Sequence, residues 1–599
     1  MTETPARTAG ALPLAQYAAL GDGRSVALLG ADGSIDWWCV PNLDSEPLFD
    51  RLVDAEHGGR FFLAPDAPFT VERRYRPGSN VMEQVFHTAS GRARVTASLN
   101  SGISGRLPWS ELALRVEGLE GTVALSVVLT VGRRLDRASP WREPSPHGDV
   151  LHVDGVVAAF RADDSVERTV EHDGGIEARL ATAPGSRAIL ALLASADEPL
   201  ILPPLTEIDA RIDRSDRSWR EWSDNLKVDG PYADAVRRSA LALKLLLFSP
   251  TGAIAAAATT SLPERLGGDK NYDYRYAWVR DVAYTIKAFL RVGATEEARA
   301  AFSWLTATVI RHGPRLRTMY RLDGALAPEE EELDLPGYAD SRPVRRGNRA
   351  RAQDQFGVFG DLMETAAMFV ERGHVLDLVT RRLLADVADR CADIWHGRDS
   401  GIWELVALEH YTMTKIGCWT ALDRAHRLAE QGQIDASHAE RWARERDRIR
   451  DWIDAHCWSE HKLSYTLHPG TDRLDASLLL AVRFGFERLD RLALTRDAIR
   501  RELCTGPLVH RYTGMAEEEG TFTACGFWLV EAHALLGERD AAVRQMDGML
   551  ARCSGTLGLL TEQVDAHDGA MLGNVPQALS HLALIHAAAS INEAPPHAP

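Results

Sequence analysis

The chain has 599 residues, 45% of them hydrophobic and 26% charged, and a formal net charge of −17. This length exceeds one ordinary core and points to two or three domains of a water-soluble globular protein. The negative charge argues against nucleic acid and anionic membrane surfaces as partners, since their phosphates would be repelled, and leaves a neutral substrate open.

The first segment, MTETPARTAGALPLAQYAALGDG, has no continuous apolar stretch of the signal-peptide kind. No later segment is long and apolar enough to span a bilayer, so a cytoplasmic protein is expected. The first two hundred residues read mainly as strands: SVALLGADGSIDWWCVP, VMEQVFHTASGRARVTASL, ELALRVEGLEGTVALSVVLTVG and GGIEARLATAPGSRAILALLAS. Turn dipeptides such as Asp32-Gly33 and Asp173-Gly174 punctuate them. Many strands at short spacing with no helix between them predict an N-terminal antiparallel β-sandwich over 1–205. The charged stretch IDARIDRSDRSWREWSDNL then has helical periodicity and reads as a linker helix within 206–230.

From 231 to 599 the pattern is helical. Twelve stretches stand out, at 233–249, 280–292, 295–312, 355–372, 377–395, 413–431, 437–457, 475–485, 492–503, 522–537, 539–552 and 576–591. Twelve helices are the number needed for six hairpins closed in a ring, an all-α (α/α)6 barrel. The links alternate between short (292 to 295, 372 to 377, 431 to 437, 537 to 539) and long (249 to 280, 312 to 355, 395 to 413, 457 to 475, 503 to 522, 552 to 576). In a ring of hairpins alternate links lie on opposite ends, so one end carries all the long loops, where function concentrates.

The first long loop ends in GGDKNYDYRYAWVRD, with Tyr272, Tyr274, Tyr276 and Trp278 on every second position before Arg280 and Asp281. Alone, the row reads as an amphipathic strand with its rings on one face, and the pair as a helix cap with a salt bridge. On a loop feeding a helix it also suits a sugar, whose C–H faces stack on aromatic rings while charged groups bind its hydroxyls. The third and sixth long loops each present a Glu among apolar residues, Glu404 after Gly-Ile-Trp and Glu562 after Leu-Leu-Thr. Singly, each is an ordinary loop carboxylate. As a pair on one end they match glycosidic hydrolysis, in which one carboxyl protonates the leaving oxygen and the other activates water. The neighbour Trp403 would raise a carboxyl pKa and favour the acid role.

Seven cysteines, odd in number and never spaced as CxxC, indicate neither a zinc ribbon nor a disulfide framework. There is no HExxH, P-loop, GxSxG or dinucleotide fingerprint, so no metal and no cofactor are expected. His410 and His581 read as structural, and PEEEELDLPG and AEEEG as solvated acidic loops, although Glu517 to Glu519 lie on the active end, within reach of a substrate.

Taken in order, YDYRYAWVRD, GIWE, HYTMTKIGCWTALDRA, EEEGTFTACGFWLVEA and LLTEQVDAHDGAMLGNVPQALSHLALI resemble glycoside hydrolase family 15. LGDGRSVALLGADGSIDWWCVPNLDSEPLFDRL resembles the N-terminal β-domain of its bacterial glucoamylase-like and trehalase-like members. The resemblance implies an inverting exo-acting α-glucosidase with an (α/α)6 barrel. It makes Glu404 the general acid and Glu562 the general base. It also implies that Arg280 and Asp281 hold the non-reducing glucose, that Tyr274, Trp278 and Trp403 line the same subsite, and that Arg511 and Tyr512 are further sugar contacts. Phe356-Gly357 stands where many relatives carry Leu-Asp, and LVALEHY where an Arg-Gly follows the acid; both changes are expected near an outer sugar.

The expected function is release of glucose from a small α-glucoside, trehalose first and isomaltose- or malto-oligosaccharides second. The other classes are a sugar phosphorylase on a similar barrel, against which the intact TEQ segment argues, and a non-catalytic carbohydrate-binding protein, against which the presence of both carboxylates argues.

Overall fold

The structure is a computed structural model that describes residues 6–101, 107–145, 148–172, 174–196, 198–313, 315–555 and 557–594. Asp173 of the second turn dipeptide, and the outermost residues of the two expected domains (1–5 and 595–599), lie outside the described residues.

Two eight-stranded antiparallel sheets form the N-terminal part. One runs in spatial order Tyr17–Gly21, Val26–Gly30, Ser34–Cys39, Arg60–Pro65, Val123–Thr130, Gly175–Thr182 and Glu167–His172, with Pro47–Phe49 beside Ser34–Cys39. The other runs Trp141–Glu143, Val150–Val153, Val156–Ala162, Arg187–Ser195, Ser110–Gly121, Gly91–Leu99, Met82–Thr88 and Thr70–Tyr75. Alternation fixes which face is buried. Leu125, Val127 and Leu129 lie opposite Leu180, Ala178 and Ile176, and this row packs on Leu112, Leu114, Leu190 and Leu192 of the second sheet. The alternate residues Ile189, Ala191 and Leu193 face the other way. There they bury Ile208 and Ile212 of α1 (Leu205–Asp224). Arg115 reinforces this docking with bonds to Asp209 at 2.6 Å and Asp213 at 2.8 Å. The helix expected as a connector is therefore packed along the sheet.

Twelve further helices follow: α2 (Ala233–Leu246), α3 (Val279–Arg291), α4 (Thr295–His312), α5 (Val358–Glu371), α6 (Leu378–Ile394), α7 (Thr412–Glu430), α8 (Ala439–His456), α9 (Leu480–Arg483), α10 (Leu489–Glu502), α11 (Thr523–Leu535), α12 (Arg539–Cys553) and α13 (Ala578–Glu593). The odd-numbered ones from α3 to α13 form an inner ring: α3 packs on α5, α5 on α7, α9 on α11, and α11 on α13, which closes on α3. Between α7 and α11 the ring is completed by the 3-10 turn Ala476–Leu479, which leads into α9. The even-numbered helices lie outside. Sequence explains the division. α13 is buried along nearly all its length and mostly apolar, whereas α8 buries only Trp442, Ile449 and Ile453, one stripe on an otherwise charged helix.

One expected helix, 475–485, is replaced by that 3-10 turn plus a single α-turn, because the Asp475 carboxylate caps the 3-10 turn at the Ser477 N–H (2.8 Å) and Gly485 ends the segment at φ +71°. Among the described residues no helix is long and apolar enough to cross a membrane.

Candidate active site

The long loops meet at one end of the inner ring, around a pocket of about 460 Å³ lined by Tyr274, Trp278, Arg280, Asp281, Trp403, Glu404, Arg511 and Glu562, with Ala256, Ile402, Phe522, Trp528, Gln577 and Leu579. Eight of the nine residues singled out in the sequence thus face one space. Tyr512 does not line this pocket. Its ring sits 6.5 Å from that of Trp403, under the Arg473 guanidinium, and its backbone pairs with Asp475.

The aromatic row is extended, but only Ala277–Trp278 pairs as a strand, with Met319–Tyr320. Its even positions divide. Tyr274 and Trp278 reach the pocket with rings edge to face at 5.4 Å, Tyr276 is buried among Trp278, Met319 and Ala256, and Tyr272 lies under Arg345 and Arg349. Of the odd positions, Arg275 reaches the β-domain. Arg275 is bound to Asp273 at 2.7 Å and donates to the Ser45 carbonyl at 2.7 Å, and Trp37 Nε1 donates to the Ala258 carbonyl at 2.8 Å. The β-domain therefore backs the loop that carries the aromatic wall.

Glu404 closes the Gly401–Glu404 turn in a left-handed conformation, φ +60°, which a non-glycine residue adopts only under local constraint. Gln353 holds its carbonyl at 2.9 Å, and Trp278 Nε1 donates to its Oε1 at 2.7 Å. Burial raises its carboxyl above the usual carboxylate range, against the opposing effects of Arg280 and the Trp278 N–H. Trp403 beside it donates from Nε1 to Asp475 at 2.8 Å, which locks the indole. Arg280 donates to Asp281 at 2.8 Å and to the Ile402 carbonyl at 2.8 Å, tying the start of α3 to the Glu404 turn. Asp281 lies in the first turn of α3 and is not its cap.

Glu562 enters from the loop before α13. Its backbone is held on both sides, donating to the Asn574 carbonyl at 3.2 Å and accepting from the Thr523 N–H at 2.9 Å. Its Oε2 is buried without a partner among the described residues, and burial pushes its carboxyl up to about 7. Gly573 makes room for it. A Cβ there would stand 2.6 Å from Glu562 Oε2, and φ is +72°.

Arg511 is held by carboxylates on two sides, from Nη2 to Glu264 Oε2 at 2.6 Å and from Nε to Glu519 Oε1 at 2.5 Å, and Glu519 also accepts from Lys270 at 2.9 Å. Against the cost of burial, Arg511 and Lys270 hold Glu519 below the usual carboxylate range. Sequence reading placed Glu519 on this end as one of three solvated acids; it is instead buried. Glu264 was missed altogether. Its only local signal is Pro-Glu after TTSL on the first long loop, which no periodicity distinguishes from a turn.

Gly357 opens α5, an inner helix, and lines a cavity of about 410 Å³ with Arg280, Tyr284, Asp361 and Phe484, which shares Arg280 and Ile402 with the pocket of Glu404 and Glu562. Of the Phe356-Gly357 departure, Gly357 therefore borders a space that adjoins the pocket at Arg280 and Ile402. The acidic run 329–332 is mostly exposed, as expected, and its second half is a strand: Glu331–Leu333 pairs with Val344–Arg346, Glu332 binds Arg345 at 3.0 Å, Glu329 binds Arg351 at 3.0 Å, and Arg346 bonds Glu331. His581 is structural, as expected. Leu560 N–H donates to its Nε2 at 3.1 Å, Ser239 Oγ lies 3.0 Å from Nδ1, and burial pulls its pKa down to about 3. Among the described residues no cluster of His, Cys, Asp and Glu is arranged to hold a metal.

Comparison with known proteins agrees with this architecture. The chain is 34% identical to a trehalase of Mycolicibacterium smegmatis, over 96% of this chain and 90% of that protein, and 30% identical to a trehalase of Thermoplasma acidophilum, over 95% and 98%. A bacterial glucoamylase solved in complex with acarbose superposes with a TM-score of 0.74 at 14% identity, covering 99% of this chain and 95% of that one. That likeness shows the fold, a β-sandwich followed by an (α/α)6 barrel. Residues 6–99 match the trehalase-like N-terminal family and residues 230–546, more than half of the chain, match glycosyl hydrolases family 15. With paired carboxyls at the loop end of a double helical ring, the chain belongs to glycosyl hydrolases family 15 and is a glycoside hydrolase.

Proposed function

We propose that the enzyme hydrolyses trehalose with inversion at the attacked anomeric carbon. The observation that carries this reading is the convergence of Glu404 and Glu562, from separate loops, on one pocket that also holds Arg280, Asp281 and Arg511. Relatives named trehalase, matched along nearly the whole chain, support the choice of substrate.

In this reading Arg280, Asp281 and Arg511 bind hydroxyls of one glucose while Tyr274, Trp278 and Trp403 wall it. Glu404, whose carboxyl burial raises above the usual range, gives its proton to the bridging oxygen as the bond from the anomeric carbon to that oxygen breaks. Glu562 takes a proton from a water whose oxygen attacks the same carbon from the opposite face. Tyr512 acts through Trp403, behind which it packs.

Proton NMR during the first turnovers tests the proposal. Trehalose must yield one α-glucose and one β-glucose before mutarotation. Two α-glucose molecules would mean retention, and turnover of isomaltose or maltose but not trehalose would replace the substrate. Glu404→Gln and Glu562→Gln are each expected to lower kcat by about 10²–10⁴-fold with sugar binding retained; normal turnover by either variant would remove that residue from its role.

We keep the division into 1–205, 206–230 and 231–599, and the cytoplasmic location, as parts of this proposal. Limited proteolysis and cell fractionation test them.

A further inference from the structure

Around Glu562 a third carboxyl is arranged in a way that none of the assigned roles uses. Glu264 is 1% exposed. Its Oε2 accepts from Arg511 Nη2 at 2.6 Å, while its Oε1 is buried with no partner among the described residues. Glu562 Oε2 is buried and unpartnered as well. The chain binds these two neighbourhoods together. Gly573, whose missing Cβ leaves the space beside Glu562 Oε2, donates its N–H to the carbonyl of Pro263 at 2.8 Å, one residue before Glu264. Gly520 donates to the Glu264 carbonyl at 2.9 Å and stands 3.1 Å, by its ideal Cβ, from the side-chain oxygen of Gln563. A buried carboxyl oxygen without a partner is costly to leave so, unless one of the two supplies a donor.

We propose that Glu264 is a positioning residue for Glu562, a neutral carboxyl that accepts from Arg511 through Oε2 and donates its own O–H from Oε1 to Glu562 Oε2, directly or across one water. This rests on the assignment of Glu562 as the base.

The charge balance fits. The groups facing Glu264 are Arg511, Glu562, Glu519, Lys270, Tyr272 and Tyr274; those facing Glu562 are Arg511, Tyr274, whose hydroxyl favours its charged form, Glu519 and Glu264. Two cations, Arg511 and Lys270, therefore meet three buried carboxyls and the exposed Glu518. Glu519 bonds both cations, and Glu264 shares Arg511 with it. Burial, against Arg511 and with Glu562 and Glu519 nearby, raises the Glu264 carboxyl well above the usual range, in the direction that favours its neutral form. A neutral acid held in this way donates a hydrogen bond to the ionised base and steadies it without adding a negative charge.

The experiment is the pH profile of kcat/KM on trehalose for the wild type, Glu264→Gln, Glu264→Met and Glu562→Gln, with thermal melts on each. Gln keeps a donor and an acceptor without charge, so Glu264→Gln should leave the acidic limb within ~0.3 pH unit of wild type. Met fills the space without donating, so Glu264→Met should move that limb up by roughly 1 unit, because the base loses a bond to its charged form. Three results overturn the proposal: an acidic limb that moves down in Glu264→Gln, which would mean an ionised Glu264 repelling the base; a limb displaced equally by Gln and Met; or a Met profile that superposes on wild type. If Glu264→Met does not fold, the Gln profile decides alone. Turnover by Glu562→Gln would remove the base assignment itself, whereas an inactive Glu562→Gln with any of the three results sinks only the role of Glu264.

Discussion

Glu562 has an unpartnered buried oxygen and a carboxyl lifted to about 7, and this has opposite consequences for catalysis and for folding. A base with a pKa near neutrality is well matched to proton abstraction, and kcat/KM should fall as pH drops below about 7. In stability the sign reverses. The folded value lies above the unfolded one, so Glu562 favours the fold fully below its ordinary value of 4.5 and loses that contribution as pH rises through about 7. Glu562→Gln, which cannot ionise, should be more stable than wild type by up to about 3 kcal/mol above pH 8, with the two converging below pH 4.5. Denaturant melts at the two pH values check this; equal stability at pH 8.5 would mean that the carboxyl is not destabilised by its surroundings. Nothing in TEQ announces such a state, because it depends on groups from distant loops.

At the scale of elements, the site depends on loops shaped to place side chains rather than on the helices they join. The 563–572 hairpin shows this: Gln563–Val564 pairs with Met571–Leu572 and with Thr521–Phe522, which fixes Glu562 at one end and Gly573 at the other. Gly573→Ala would add a Cβ 2.6 Å from the Glu562 carboxylate and 2.7 Å from its Cβ, at φ +72°. The expected cost is roughly 1–3 kcal/mol in stability, together with a fall in kcat larger than the rise in KM, because the displaced group is the base and not a sugar contact. Melting and steady-state kinetics on the purified variant check both, and wild-type kcat would show that Glu562 tolerates the shift. The helices themselves follow their periodicity closely. The exception is 475–485, where a capping aspartate and a glycine shorten the element.

Over the whole molecule, the β-domain and the barrel act as one support for the pocket. The acidic hairpin that pairs Glu331–Leu333 with Val344–Arg346 leans on the β-domain: the Gly337 N–H donates to Val53 at 2.9 Å, Tyr338 Oη to Leu12 at 2.8 Å, and Arg346 reaches Glu46 at 3.3 Å. Together with the Trp37 and Arg275 contacts, this braces the first and second long loops from outside the ring. Residues 230–599 expressed alone should therefore give less than about a hundredth of the full-length kcat/KM, because Arg275 and the apolar surface around Trp37's partners lose their cover. Full activity from that fragment would show that the β-domain only flanks the barrel.

Sequence by itself determined the strand-rich first part, the positions of eleven of the twelve ring helices to within a few residues, the end of the ring that carries the long loops, and eight residues that share one pocket. These are local properties: a period of two or 3.6, a turn residue, a loop length, a short motif. Only the tertiary structure decided that Glu264 and Glu519 clamp Arg511, that Tyr512 stands behind Trp403, that Gly357 borders a space adjoining the pocket, and that the second half of the acidic run pairs as a strand with Val344–Arg346. Each of these depends on which residues far apart in the chain are brought within a few ångströms. A carboxylate or a glycine reads the same in sequence whether it meets water, an arginine or another carboxylate, and burial among particular partners is what sets its charge and its use.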